Sequence, residues 1–173
     1  MLASRIMKLL PYEKFHFITR FKPEEIQQRL ERNIEPDKPF SIKDIFKRES
    51  AFYFNGFATN AFFEIKRLIF YRNSFLPRVK GLIESGLNGS RVEIKMYMHL
   101  LVTLFMCIWL GGVTFGCITL TANMIRDGNF EAAIIIPYIM FLLGYGVMMW
   151  GFKSESVKAK EKLLELLEGK IEV

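Results

Sequence analysis

Between residues 99 and 152 the alternation of polar and apolar positions stops. Residues 100–124 carry no charge, residues 125–131 (Ile-Arg-Asp-Gly-Asn-Phe-Glu) form a short polar break, and residues 132–152 are again uncharged. About 20 apolar residues at about 1.5 Å rise cross a bilayer core about 30 Å thick. The pattern predicts a transmembrane helical hairpin with spans at about 100–124 and 132–152.

Upstream of the hairpin the period is that of a sheet. Residues 12–21 place Phe15, Phe17, Thr19 and Phe21 on one face and His16, Ile18 and Arg20 on the other, which reads as a half-buried strand. Lys22-Pro23-Glu24-Glu25 opens a helix, because proline suits a first turn and carboxylates complement the positive end of the helix dipole. Ile26, Leu30 and Ile34 form its apolar stripe, and Pro36 and Pro39 end it. Residues 40–50 read as a loop or short helical turn over the sheet. Four further strands are expected at 52–57, 62–71, 79–83 and 91–98, punctuated by Asn60, Asn73-Ser74 and the Gly86 to Ser90 turn.

The order is β-α-β-β-β-β, an antiparallel-dominated α+β domain over residues 1–98, whose last strand enters the first span almost without linker. After Phe152, residues 153–173 read as an amphipathic helix with Val157, Leu164, Leu167 and Ile171 on one stripe, broadened by Leu163 and Leu166. An antiparallel sheet normally hides one side, so this helix is expected to pack back on the face bearing Phe15, Phe17, Phe54 and Ile94. The predicted fold is an α+β membrane protein: cytoplasmic domain 1–98, hairpin 99–152 and cytoplasmic amphipathic helix 153–173.

Charge sets the orientation. Arg91 and Lys95 lie just before the first span and Lys153, Lys158, Lys160 and Lys162 follow the second, whereas the break between the spans has only Arg126. Lysine and arginine gather on the cytoplasmic side, so both termini are assigned to the cytoplasm of a multi-pass protein of a bacterial inner (plasma) membrane. The first ten residues lack the apolar core of a signal peptide, and Met7 is as good a start as Met1. Cys107 and Cys117 both fall in the first span, about 15 Å apart along a helix, too far for a disulfide and without metal-ligand spacing.

The run Tyr71-Arg72-Asn73-Ser74-Phe75-Leu76-Pro77, followed by Gly81, Gly89, Val92, Ile94 and Met96 and a span containing Trp109, resembles a family of small uncharacterised bacterial membrane proteins with a cytoplasmic α+β domain and two transmembrane helices. The resemblance covers about residues 7–120 and implies that architecture but no reaction. The element order is also similar to the helix-grip lipid-binding folds, of which this chain is several strands short.

Candidate chemistry is sparse. There is no phosphate loop, nucleophile elbow or metal-ligand pair, and His16 and His99 are isolated. No catalytic residue, metal or cofactor is assigned. Arg72, Asn73 and Tyr53 are the candidate ligand-binding residues, Arg72 as a clamp for an anion; the competing reading makes Asn73 and Ser74 turn residues and leaves Arg72 solvated. Gly112 and Gly116, with Gly144 and Gly146, are expected to serve transmembrane packing within the hairpin or in a homodimer. Adjacent basic residues reach no more than pairs, Lys47-Arg48 and Lys66-Arg67, which argues against nucleic acid and for the bilayer itself as the partner. Three functions follow as expectations: a cytoplasmic domain that binds a partner protein or lipid-like ligand at the membrane surface, a membrane-tethered enzyme on a lipid or acyl substrate, or an accessory subunit of a larger membrane complex.

Overall fold

The computed structural model describes residues 9–35, 52–128 and 132–172; the expectations for residues 40–50 and for the starting methionine lie outside these. The chain runs β1 (Tyr12–Thr19), α1 (Pro23–Glu31), β2 (Ile34–Glu35), β3 (Phe54–Ala58), β4 (Phe62–Arg67), β5 (Arg78–Gly86), β6 (Gly89–Tyr97), α2 (Leu100–Asp127), α3 (Ile135–Leu166) and β7 (Lys170–Ile171), with one 3-10 turn at Ala132–Ile134 before α3. It is an α+β fold. The strands form one sheet in the order β2-β3-β4-β5-β6-β1-β7, with β2 parallel to β3 and every other pair antiparallel.

The expected five-strand, antiparallel-dominated sheet is a mixed sheet of seven with one parallel pair. The two additions are β2 and β7, each of two residues, which hold the sheet's two ends. Ile34 does not continue α1: the helix stops at Glu31, and the Asn33 carbonyl turns to accept from the backbone N–H groups of Tyr53 and Phe54 at 3.1 and 3.0 Å. Ile34 is still buried, but as a strand residue. β4 likewise ends at Arg67 rather than Tyr71, which frees residues 68–77 as a long connection to β5.

Alternation decides which face is hidden. Phe15, Phe17, Phe54, Phe63, Val92 and Ile94 project to one side and are buried, while Lys14, Glu93 and Lys95 point to the other. There Lys95 and Lys14, 2.8 and 3.0 Å away, hold the Glu93 carboxyl down to about 2. β5 and β6 meet in a two-residue turn with Gly86 opposite Gly89. Gly89 has φ +131°, and a Cβ there would run into the Thr19 carbonyl of β1, so only glycine closes this hairpin against its neighbour.

The inner face is covered by α1, through Ile26 and Leu30, and by α3, through Phe152, Ala159 and Leu163. The expected covering helix is present, but it is not a separate element. α3 passes through positions 152 and 153 without a break, so the second apolar segment and the cover are one helix of 32 residues. Its buried stripe follows Met148, Phe152, Glu155, Ser156, Ala159 and Leu163; the expected stripe member Val157 is 49% exposed. Past the helix, Thr19 Oγ1 donates to the Leu167 carbonyl at 2.6 Å, and β7 pairs with β1.

α2 and α3 are both long and apolar enough to cross a membrane. They pack antiparallel, with Trp109 against Gly144 near the sheet and Thr121 hydrogen-bonded to Tyr138 farther out. A Cβ at Gly144 would overlap the Trp109 ring, whereas Cβ atoms at Gly112, Gly116 and Gly146 would meet nothing within 4 Å. Of the four glycines assigned to helix packing, Gly144 is the one at which a side chain would collide with the other helix; at Gly112 and Gly116 a side chain would enter open space.

Candidate functional site

The connection of residues 68–77 lies against α3 where that helix passes from its apolar half into the sheet's core. Asn73 fixes the join. Its Nδ2 donates to the Gly151 carbonyl at 3.0 Å, and its Oδ1 accepts from the Phe75 N–H at 2.9 Å, an Asx-type turn docked on a helix. Gly151 leaves room for this: a Cβ there would lie 3.0 Å from the Phe75 ring and 3.2 Å from Asn73 Oδ1.

One turn further along α3, Glu155 is 1% exposed and sits on the helix's buried stripe. It is ion-paired with Arg67, the last residue of β4, accepts from the Tyr71 hydroxyl, and receives Lys158 Nζ at 3.2 Å. Arg67 in turn lies 5.1 Å from the Tyr53 ring centroid, and its Nε is buried with no hydrogen-bond partner among the described residues. Burial opposes ionisation of Glu155. The hydrogen bonds from Tyr71 and Lys158 and the charge of Arg67 outweigh it and hold the carboxyl below its ordinary range. The same hydrogen bond, with burial, raises the Tyr71 hydroxyl, and the Glu155 carboxylate raises Lys158. At neutral pH the cluster is thus Arg67⁺, Glu155⁻, neutral Tyr71 and Lys158⁺, with a surplus of positive charge.

That surplus faces a cavity of about 440 Å³ between the connection and α3. Arg72, Ser74, Ser154, Lys158 and Trp150 line it, with Tyr71 and Glu155 at its back. Arg72 is exposed and has no ion-pair partner among the described residues. A second groove of about 330 Å³ opens between α2 and α3. Its walls are Phe105, Trp109, Leu143 and Gly144, and it shows no polar surface. Phe75 and Val147 line both, so the cationic cavity adjoins the apolar groove. Of the chain's two tryptophans, Trp150 borders the cavity and Trp109 the groove.

Of the three candidates named from sequence, the fold brings Arg72 and Asn73 to the cavity and leaves Tyr53 outside its lining, edge-on to Phe54 at 4.9 Å and beneath Arg67. Asn73 has both amide atoms committed to the backbone, so it builds the wall rather than reading a ligand. Neither histidine reaches the cavity: His16 is 3.8 Å from Glu93 on the sheet's outer face, and His99 caps α2 by accepting from the Leu101 N–H at 3.2 Å. Among the described residues no group of three acidic, histidine or cysteine side chains is placed to hold a metal. Glu155, Arg67, Tyr71, Lys158 and Trp150 were missed. A signal existed for Glu155: carrying the helical period from Phe152 through Ala159 to Leu163 puts a carboxylate on the apolar stripe.

This chain matches no protein-family model, no curated protein and no solved structure.

Proposed function

We propose that this is an integral membrane protein whose sheet domain stands on the cytoplasmic surface of a bilayer and binds a lipid-like ligand where that domain meets the membrane. In this reading α2 and the first half of α3 cross as a hairpin, with both termini on the cytoplasmic side by the lysine and arginine bias. The observation that carries it is the place of the cavity. It opens where α3 passes from exposed apolar surface to burial in the sheet's core, and it adjoins an apolar groove between the two long helices.

Membrane insertion is supported by what the long helices leave uncovered. Leu101, Leu104, Ile108, Phe115 and Ile118 of α2 are each more than half exposed, as are Leu142 and Leu143 of α3. Soluble monomers rarely expose contiguous apolar patches beyond a few hundred Å², whereas hydrocarbon solvates such a surface. Trp150, 76% exposed at the cavity mouth, suits the headgroup level, where its apolar body and N–H find different surroundings.

Native mass spectrometry of the full chain, extracted in a mild detergent, tests the reading. A lipid mass retained through detergent removal is the expected result. A bare protein at every activation energy would overturn it.

A further inference from the structure

We propose that the ligand is a phospholipid of net negative charge, bound with its phosphate between Arg72 and Lys158 and one acyl chain laid into the groove between Trp109 and Leu143. The proposal rests on the lipid-binding reading above and names the class of lipid.

The polar end is built for a multivalent anion. Arg72 comes from the connection and Lys158 from α3, so cationic groups stand on opposite walls of the cavity, with the hydroxyls of Ser74 and Ser154 also lining it. A guanidinium offers paired N–H donors to two phosphate oxygens, and an ammonium adds a point charge. The one carboxylate at the back, Glu155, does not repel such a ligand, because Arg67, Tyr71 and Lys158 already engage it. Arg72 has no carboxylate partner of its own among the described residues and is free to take one from outside.

The other end excludes anything but hydrocarbon. The groove has no polar lining, and at its floor Gly144 is the position where a side chain would collide with Trp109. From Val147 to Leu143 it follows α3 for about 6 Å of helix axis, enough for only the first few methylenes of a chain. The rest of that chain, and any second chain, stays in the bilayer. A soluble phosphate compound would leave the apolar half unfilled, and a neutral lipid would leave Arg72 without an anionic partner. The two halves together ask for an anionic head and a hydrocarbon tail in one molecule.

The two tryptophans make the test direct. In the Trp150→Phe variant, fluorescence comes from Trp109 alone and reports occupancy of the groove. The purified full chain in detergent micelles is titrated with phosphatidylglycerol or phosphatidylcholine brominated on the acyl chains, with and without Arg72→Gln plus Lys158→Gln. Lys158 also engages Glu155, so the melting temperature of the double variant is measured alongside, and Arg72→Gln alone, which leaves that contact intact, is titrated as well with a loss of about fivefold expected. Saturable quenching by the anionic lipid, with an affinity about 25-fold weaker in the double variant (about fivefold per cation) and little change for phosphatidylcholine, is the expected outcome. Equal affinity for the two lipids, or no effect of the double variant, overturns the headgroup assignment while leaving lipid binding in place. Full reversal of quenching by millimolar glycerol 3-phosphate would assign the site to a soluble phosphate and overturn the lipid assignment. Absence of saturable quenching with either lipid removes the binding reading itself.

Discussion

The two halves of α3 are one continuous helix under opposite rules. From Ile135 to Val147 its large apolar side chains stand in the open: Leu142 is 67% exposed, Leu143 63% and Val147 56%. From Met148 to Leu166 it buries apolar groups, and with them a carboxylate, since Phe152, Ala159 and Leu163 are inaccessible and Glu155 nearly so. Exposure of grease and burial of charge are both costly in water unless something compensates. In the second half the compensation is present: Arg67, Tyr71 and Lys158 converge on Glu155. For the first half the proposed compensation is the bilayer. The cavity lies at the point where one regime gives way to the other, which is where a molecule that is itself half charged and half hydrocarbon fits.

The sharpest break in this comparison comes from the buried ion pair. Glu155→Ala leaves Arg67, whose side chain is only 13% exposed, without its charge partner, and removal of one member of a buried pair costs about 3–5 kcal/mol. Chemical unfolding in detergent should show that loss. The double variant Arg67→Met, Glu155→Leu should recover most of it, because a well-packed apolar pair often matches a buried ionic one; a double variant no better than Glu155→Ala would mean that the pair holds the connection in place rather than neutralising a charge.

Next in size is a matched pair of truncations on the same helix. Leu163→Ala empties a fully buried position and should cost about 2–5 kcal/mol. Leu142→Ala removes the same atoms from an open position, and in detergent it should change stability by less than about 0.5 kcal/mol. Similar losses at both positions would show that Leu142 is covered by protein, a second copy of the open Gly112–Gly116 face being the first candidate.

The smallest effect is in pH. The Glu155 carboxyl titrates lower in the folded protein than in the unfolded chain. Its contribution is thus complete above the unfolded carboxylate value and is lost as pH falls through the folded one. Stability should be flat from pH 7 to about 5 on this account and decline below about 4.5, and Glu155→Gln should flatten the part of the decline that this group contributes. A wild-type curve and a Glu155→Gln curve of the same shape would assign acid sensitivity to other carboxylates, Glu93 first among them.

Much of the architecture was legible locally. The alternation of Phe15 and Phe17 and of Val92, Ile94 and Met96 is the direct record of a sheet with one buried face, and the uncharged runs at 100–124 and 132–152 record two long apolar helices. The Gly86 to Ser90 segment announced its turn. What was misread has a common cause. Ile34 fitted a helical spacing of four yet joined β2, because Asn33 bonds to residues 20 and 21 positions away. β2 and β7 are too short to have a period at all and exist only as partners of β3 and β1. The stripe through Val157 was one of two that lysine, glutamate and leucine in this segment allow, and the sheet's surface selected the other.

The candidate site shows the same division more strongly. Arg72 was recognisable as a basic residue in a polar turn, and Lys158 only as one of several lysines on a helix. Their meeting depends on a connection between β4 and β5 that docks on α3 through Asn73 and Gly151, 78 positions apart, and on Arg67 reaching Glu155 across 88. Sequence alone determined which stretches are apolar, which alternate and which carry charge, because those are properties of neighbours along the chain and set local conformation. Only the tertiary structure decided that one carboxylate would be buried with a partner and that two cations would line a cavity beside an apolar groove, because these are contacts between distant segments, and no local period contains them.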